Sequence, residues 1–407
     1  MIRTKNVIED LAIFGGNPAF NDILYVGRPN IGNKDKYCEL INDMLDRRWL
    51  TNQGPYVQEL EEKIADYVGV KNCIAMCNGT ISLEIAIRAC DLKGEVIVPS
   101  FTFIATAHAL QWQEITPVFC DIDPNTYNID TSRIEELITP RTTGIVAVHL
   151  WGRPCNIEKL IEISEKHNLK LIFDAAHAFG CTYNGKMIGN FGEAEIFSFH
   201  ATKFFNTLEG GAVVTNNDQL AEKIRLMNNF GFAGKDEVIY IGTNGKMNEA
   251  SAAMGLNMFD VIDDLVTVNY KNYNKYKKGL EGINGINLIE YNEKEQCNYH
   301  YIVIEIDESQ TLVTRDQLQN ILIAENVFAR RYFYPGCHRM EPYRSYFPHA
   351  GLLLPETEKI ANKVLLLPNG TAVNSDQISD ICQIIQFIIG NSKEVIIKLK
   401  DKLEIKN

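Results

Sequence analysis

Asp174 and Lys203 are the residues whose types and surroundings most clearly indicate chemistry. Asp174 closes the apolar run KLIFD, and small residues follow it. A carboxylate there can pair with a cationic ring nitrogen, although an aspartate in this place also caps a following helix well. Lys203 follows in FSFHATKFF, among phenylalanines. Apolar neighbours lower the pKa of an ammonium group and leave its amine nucleophilic, whereas an ordinary lysine extends its head group to water.

A second group of residues has the chemistry to hold a phosphate and a flat ring. Gly79 and Thr80 stand between the apolar run CIAMCN and a helical pattern. The free backbone amides of such a junction suit a phosphate, although many α/β turns carry Gly-Thr. Ser198 offers a hydroxyl to the same phosphate, and Phe103 is either a stacking ring or an ordinary core residue. A carboxylate for a ring nitrogen, an amine, a phosphate cradle and an aromatic face are what pyridoxal 5′-phosphate (PLP) needs.

Short apolar runs must position these residues. They lie at 73–78, 95–99, 116–121, 143–149, 170–175, 194–199 and 211–215. They are apolar on both faces, and helical patterns such as 157–168 separate several of them. This alternation predicts an α/β fold with a mostly parallel sheet of seven strands covered by helices on both sides. Ligands of such sheets bind beyond the carboxyl ends of the strands, where Asp174 and Gly79 stand.

The patterns divide the chain into three parts. Residues 1–35 read as an irregular N-terminal arm, 36–265 as a large α/β domain and 266–407 as a smaller C-terminal α/β domain. Helical patterns at 36–50 and 56–69 open the large domain, and a long helical stretch at 248–283 connects it to the small one. The small domain is predicted to contain strands at 299–305 and 328–334 and helices at 315–326, 356–365 and 375–390. The Lys-rich tail is expected to form a solvated final helix.

Composition excludes several classes of function. The 407 residues carry a net charge of −12, which argues against nucleic-acid binding because a phosphate backbone requires a basic surface. The chain opens without a secretory signal and has no apolar stretch of about 18 residues, so no membrane span is expected. Its ten cysteines are scattered and none forms a CxxC pair, so we expect reduced thiols, no metal site and a cytoplasmic location.

In chain order these features resemble the DegT/DnrJ/EryC1/StrS group of sugar-nucleotide aminotransferases, which have the type I fold of PLP enzymes. The stretches that carry the resemblance are IFDAAHAFGCTYNGKMIGNFGEAEIFSFHATK, EGGAVVTN and GTNGKMNEASAAMGL, and it extends from about Trp49 to Pro368. The resemblance implies that Lys203 forms the Schiff base with PLP and that Asp174 pairs with the pyridine nitrogen. It also implies that His177 lies near the PLP hydroxyl.

Further roles follow from the same resemblance. Phe103 falls on the family's ring-stacking aromatic residue. The cofactor phosphate is expected to bind to Gly79, Thr80, Ile81 and Ser198. Asn244 matches an asparagine that the family donates to that phosphate across a homodimer interface.

The chain departs from the family pattern in one informative segment. Many members have Gly-Tyr-Asn-Tyr-Arg-Met where this chain has GTNGKM, so that Lys246 replaces an arginine and the tyrosines are absent. The resemblance therefore carries no bidentate arginine role to this position, because a lysine ammonium group cannot make that contact. The segment resembles that of the subgroup that forms 4-amino-4,6-dideoxyhexoses, and VHLWGRPC and LEGG point to the same subgroup. The expected reaction moves an amino group from glutamate to dTDP-4-keto-6-deoxyglucose, for deoxysugar, O-antigen or polysaccharide biosynthesis.

Other functions remain open on the sequence alone. A C3-specific sugar-nucleotide aminotransferase uses the same lysine and cofactor. A PLP-dependent sugar dehydratase of this fold is disfavoured, since those relatives have histidine where this chain has Lys203. A non-catalytic binding protein is disfavoured because both Asp174 and Lys203 are present. An enzyme that acts only on amino acids is compatible with the fold. The sequence decides neither the nucleotide nor the stereochemistry of the new C–N bond.

The small domain supplies a candidate substrate site in ARRYFYPGCHRMEPYR. Arg331, Tyr334 and His338 follow an apolar run there, and basic and aromatic groups can bind a sugar and its diphosphate. The alternative is that the arginines are surface charges and Tyr334 is a core residue.

Overall fold

The short apolar runs form a seven-stranded sheet in the computed structural model, which describes residues 5–404. Residues 1–4 of the predicted arm and 405–407 of the predicted tail lie outside the described residues. The strands are β1 Asn72–Met76, β2 Glu95–Pro99, β3 Thr116–Cys120, β4 Thr142–Val148, β5 Lys170–Asp174, β6 Ala194–Ser198 and β7 Gly211–Thr215. Their order is β1-β7-β6-β5-β4-β2-β3. Only β7 runs antiparallel to its neighbours in this sheet, so the predicted mostly parallel sheet is confirmed.

The strands are apolar on both faces because each face packs into a core of its own. Ile172 of β5 enters one core, whereas its neighbours Leu171 and Phe173 enter the other. Helices cover both faces. They are α1 Lys34–Arg47, α2 Pro55–Val68, α3 Gly79–Ala89, α4 Ile104–Gln111, α5 Ile157–His167, α6 Asp218–Asn228 and α7 Glu249–Phe259.

The long helical stretch predicted at 248–283 is two helices, because α7 ends at Phe259 and α8 spans Ile262–Leu280. Val261 between them has a non-helical conformation. The break separates two kinds of helix. Nearly every residue of α7 is buried in the large core, whereas α8 has one buried stripe. The start of this stripe stays in the large core, and its later residues Tyr273, Tyr276 and Leu280 pack into a second core.

The C-terminal part contains a three-stranded antiparallel sheet, with β8 Ile286–Leu288, β9 Ile302–Ile306 and β10 Val364–Leu367 in that order. Its helices are α9 Glu308–Thr311, α10 Arg315–Ala324, α11 Tyr343–Tyr346, α12 Pro355–Ala361, α13 Ser375–Gly390 and α14 Ser392–Glu404. No helix in the described part of the chain has the length and apolar character needed to cross a membrane.

Two predicted elements of this part are wrong. The helix predicted at 356–365 ends at Ala361, and the fully buried run VLLL that follows is the strand β10. The strand predicted at 328–334 is reduced to Val327–Phe328, which pairs with Leu24–Tyr25. The chain then turns, with the Tyr334 amide donating to the Arg331 carbonyl. A run of aromatic residues resembles a strand in sequence, but here the rings of Tyr332 and Phe333 line a cavity.

The N-terminal arm packs on the C-terminal part of the chain. Ile8, Leu11 and Phe20 enter the same core as α8 and α13. The buried Lys5 and Glu325 form an ion pair of 2.8 Å that anchors the arm. Glu325 also accepts hydrogen bonds from two backbone amides of the arm. The arm is thus anchored at Lys5, Ala12 and Ala19, and its later residues continue to the cavity at the large sheet.

Candidate active site

A cavity of about 330 Å³ opens at the carboxyl ends of the parallel strands. It brings together seven of the residues proposed from sequence, namely Gly79, Thr80, Phe103, Asp174, His177, Ser198 and Lys203. These residues come from several separate segments of the large sheet and its loops, and the arm and the small sheet complete the walls. The fold therefore brings these residues together at the strand ends, where the sequence predicts the site.

Asp174 is a buried carboxylate with a hydrogen-bond donor on each oxygen. Thr106 Oγ1 donates to Oδ2 at 2.8 Å, and the Ala176 amide donates to Oδ1 at 3.1 Å. Burial raises the pKa of Asp174, while these two hydrogen bonds and the charge of Lys203 oppose the rise. No helix follows Asp174 directly, since the next one along the chain is α6. Asp174 is therefore not a helix cap.

Lys203 lies in the same cavity, half-buried, and its Nζ donates a hydrogen bond of 3.2 Å to the Tyr301 hydroxyl. Desolvation lowers the pKa of Lys203 to about 8, and the carboxylate of Asp174 only partly opposes this. An amine with such a pKa is partly unprotonated near neutral pH, which a nucleophilic lysine requires.

His177 is held in one tautomer. Its Nδ1 accepts a hydrogen bond of 3.1 Å from the Trp151 amide, and desolvation lowers the pKa of His177 well below its usual value. The neutral ring consequently carries its proton on Nε2. The ring lies parallel to Phe333 with centroids 5.8 Å apart, so its orientation is fixed as well.

The junction of β1 and α3 forms a cradle of small groups. A Cβ atom added to Gly79 would lie 3.0 Å from the Ser198 Cβ, so the two segments touch. The Ile81 amide donates a hydrogen bond of 2.8 Å to Asn78 Oδ1, and Ile81 does not line the cavity. The Ile81 amide is therefore already occupied. The amides of Gly79 and Thr80, at the start of the helix, are the ones left for an anion, together with the Ser198 hydroxyl.

Phe103 is not a core residue, because 54% of its surface is exposed where it lines the cavity. It precedes the first residue of α4, so the helix fixes its backbone. A large apolar ring left open at a cavity wall has a flat face available for a ligand ring.

The remaining residues proposed from sequence lie outside the cavity. Asn244 is exposed and pairs through its backbone with Asn229. Arg331 forms an ion pair with Asp316 at 3.1 Å, and its guanidinium group stacks on Tyr334. His338 is only 2% exposed, and its two ring nitrogens already contact Ser100 and Glu358, each at 2.7 Å.

The cavity instead contains neighbours of that cluster and residues that sequence reasoning missed. Arg330, Tyr332 and Phe333 line the cavity, in place of the proposed Arg331, Tyr334 and His338. Arg28 lines it from the N-terminal arm. Neither Arg28 nor Arg330 forms a salt bridge with any of residues 5–404. In the sequence, Arg28 stands in an arm rich in glycine and proline, and this irregular pattern does not indicate which of its side chains reach a site.

Tyr301 and His300 also line the cavity, and they lie immediately before β9, the central strand of the small sheet. The His300 Nε2 contacts the Thr202 carbonyl at 3.1 Å, and desolvation lowers the pKa of His300 to about 3. His300 is therefore neutral and fixed. In the sequence, His300 and Tyr301 stand immediately before the apolar run that forms β9, and this position is the feature that could have indicated a role in the site.

The cavity has the groups that PLP requires. A half-buried amine of lowered pKa, a buried carboxylate, an open aromatic face and a cradle of free amides and a hydroxyl line one space. Lys203 would hold the cofactor, Asp174 its ring nitrogen, and Gly79, Thr80 and Ser198 its phosphate.

Comparison with known proteins gives a consistent family. The chain matches the DegT/DnrJ/EryC1/StrS aminotransferase family over residues 32–386. It is 37% identical over 372 residues to a dTDP-4-amino-4,6-dideoxy-D-glucose transaminase of Shigella dysenteriae, with 91% of this chain and 99% of that protein covered. A dTDP-3-amino-3,6-dideoxy-alpha-D-galactopyranose transaminase of Aneurinibacillus thermoaerophilus is 33% identical over 357 residues, with 87% and 95% covered.

A solved structure agrees with these matches. The crystal structure of DesI in the presence of its TDP-sugar product superposes with a TM-score of 0.93 at 44% identity, covering 97% of this chain and 100% of that chain. The match extends over both sheets, and the predicted type I fold is confirmed. The chain belongs to the DegT/DnrJ/EryC1/StrS family of PLP-dependent aminotransferases.

Proposed function

We propose that this aminotransferase moves an amino group from glutamate to C4 of a nucleotide-linked 4-keto-6-deoxyhexose, namely dTDP-4-keto-6-deoxyglucose. The observation that carries the proposal is the cavity itself, in which Lys203 and Asp174 share one space with two arginines that form no salt bridge within residues 5–404. The choice of C4 is supported by the name of the Shigella relative and by the segment GTNGKM.

Lys203 has two tasks in this proposal. Its Nζ atom would hold PLP covalently, and the same atom would later carry a proton to and from the reacting carbon as general acid and base. A pKa of about 8 suits both tasks, because the amine exists in both protonation states near neutral pH. PLP, when bound, supplies an electron sink that withdraws charge from that carbon. Asp174 would keep the ring nitrogen protonated.

His177 would act at the cofactor's ring hydroxyl. Because its Nδ1 already accepts the Trp151 amide, its Nε2–H is the group free to donate. The stacked Phe333 prevents the ring from turning away. His177 thus orients the cofactor without carrying charge.

Arg28 and Arg330 would bind the anionic parts of the two substrates. Glutamate has two carboxylates, a nucleotide sugar has a diphosphate, and guanidinium groups bind both in bidentate fashion. Arg330 is supported from one side by the Tyr332 ring, with 4.4 Å between its guanidinium carbon and the ring centre. An acidic protein with a net charge of −12 requires such local cations to hold a diphosphate.

The C3 reaction is the second candidate, because the relative from Aneurinibacillus is named for a 3-amino sugar. The decisive experiment incubates the PLP-loaded enzyme with glutamate and either the 3-keto or the 4-keto sugar nucleotide. NMR of the product then assigns the aminated carbon. We expect amination at C4. Amination only at C3, or turnover of free 2-oxo acids without any nucleotide sugar, would contradict the proposal.

The assembly and location are part of the same proposal. Asn244 is exposed outside its own cavity, which suits a residue that reaches the phosphate site of a second subunit in a homodimer. The ten cysteines are all free thiols, and eight of them are buried. Free thiols are typical of a reducing compartment, which supports a cytoplasmic location.

A further inference from the structure

Thr106 is a buried polar residue that the sequence gave no reason to select. It lies in the first turn of α4, has no exposed surface and does not line the cavity. Its hydroxyl is nevertheless 2.8 Å from Asp174 Oδ2, to which it donates. It therefore contacts the carboxylate from behind, on the side away from the space where a ligand binds.

A second hydroxyl lies behind Thr106, and the carboxylate determines the direction of the hydrogen bond between the two threonines. Thr102 Oγ1 lies 3.1 Å from Thr106 Oγ1, and Thr102 is 1% exposed. A hydroxyl has one proton to donate. Because Thr106 gives its proton to the carboxylate, Thr102 must donate to Thr106. The two hydroxyls thus form a short chain that ends on the ionised form of Asp174.

We propose that Thr106 is a positioning residue that keeps Asp174 ionised and oriented toward the ring nitrogen of PLP. This inference rests on the proposed role of Asp174. A buried carboxylate without donors would take up a proton, and the neutral acid could no longer keep the ring nitrogen protonated. The Ala176 amide serves the other oxygen, so the carboxylate cannot rotate without losing a hydrogen bond.

The test measures the ring nitrogen directly. Wild type, Thr106→Val and Thr106→Ser are loaded with PLP that carries ¹⁵N in its ring, and the ¹⁵N chemical shift is recorded by NMR. Valine keeps the shape of threonine without the hydroxyl, whereas serine keeps the hydroxyl. Thr215→Val is the matched control, because Thr215 is also buried and its hydroxyl donates to the Glu193 carbonyl at 2.7 Å, in a strand end that does not line the cavity.

We expect the Thr106→Val signal to move toward unprotonated nitrogen and PLP affinity to fall roughly ten- to a hundredfold, as for a lost hydrogen bond to a charged group. Thr106→Ser and Thr215→Val should keep the wild-type signal. A wild-type signal and PLP affinity within twofold in Thr106→Val would overturn the inference. If that variant does not fold, Thr106→Ala replaces it.

Asp174→Asn separates the inference from the proposed function on which it rests. A changed ¹⁵N signal in Asp174→Asn, with none in Thr106→Val, removes the role of Thr106 and leaves that of Asp174. An unchanged signal in Asp174→Asn removes both.

Discussion

The Nζ amine of Lys203 donates a hydrogen bond of 3.2 Å to the hydroxyl of Tyr301. The two residues come from different sheets, since Lys203 follows β6 and Tyr301 immediately precedes β9. Tyr301 is fixed by the rings of His177 and His300, each with its centroid 4.7 Å away. The small sheet therefore supplies the first hydrogen-bond partner of the amine at the centre of the site.

Removing that partner should change the titration of the amine. Only unprotonated Lys203 can attack PLP, so the rate at which the cofactor-free enzyme takes up PLP should rise with pH around a midpoint of about 8. In Tyr301→Phe the ammonium form loses an acceptor, and the midpoint should fall by up to about one pH unit. Stopped-flow absorbance at a series of pH values measures both midpoints. Identical midpoints would mean that the hydrogen bond is absent in solution.

Lys203 should be the lysine that holds PLP. Borohydride reduction of the yellow enzyme should fix the cofactor to one peptide, and Lys203→Ala should lose both the label and turnover. Lys246→Ala is a suitable control, because Lys246 contacts Asn229 and Phe230 and does not line the cavity. Mass spectrometry locates the label. A label on any lysine other than Lys203 would contradict the assignment.

Asp174→Asn should fold and lose nearly all activity. Asparagine fills the same space and can still accept the Ala176 amide, so stability should change little. It has no charge to keep a ring nitrogen protonated, so the transamination rate should fall by at least about a hundredfold. Thermal unfolding and steady-state kinetics are measured on the same preparation. A rate within about twofold of wild type would show that the carboxylate has no chemical role.

Gly79→Ala tests the phosphate cradle without removing any polar group. The new Cβ would lie 3.0 Å from the Ser198 Cβ, so the junction of β1 and α3 must shift. Alanine favours a helix more than glycine does, so the free energy of unfolding should be maintained while PLP affinity falls at least severalfold. Gly390→Ala is the control, since its Cβ would meet nothing within 4 Å. Equal PLP affinity in the two variants would place the phosphate elsewhere.

Subunits that are inactive for different reasons should restore activity when mixed, provided the enzyme is a dimer with shared sites. Lys203→Ala removes the amine of a subunit's own site, and Asn244→Ala removes the group that we propose it lends to its partner. A heterodimer then has one intact site of two. Activity after mixing, with mass measured by light scattering, is the readout. A fully active monomer would exclude the arrangement.

The sequence predicted the large sheet well because its strands are apolar on both faces and end in residues that have no role in a core. Asp174 and Gly79 were visible for that reason. The small sheet was harder to predict, since the helix predicted at 356–365 extends into Val364 and Leu365, the first half of the strand β10. Periodicity cannot distinguish a short buried strand from a helix end.

Residues whose role depends on distant contacts were not predictable from the sequence. Thr106 is an ordinary helix residue until the fold places its hydroxyl beside Asp174, 68 positions away. His338 is the opposite case, because it follows basic and aromatic residues but is buried between Ser100 and Glu358. A cluster of suitable residue types indicates a region, whereas the side chains that face a ligand are decided by packing.

The anchoring of the N-terminal arm has a consequence for the order in which the molecule matures. The amide of Ala12 hydrogen-bonds to Glu325, 313 positions later in the chain, and the same arm carries Arg28 to the cavity. During synthesis, the arm must therefore wait for Glu325 and its neighbours, which follow 313 positions later. The strand ends that hold Asp174 and Lys203 can assemble earlier, but the wall that contains Arg28 closes only afterwards. We therefore expect the site to mature in two stages, with the cofactor-binding face formed before the wall that is proposed to select the substrate.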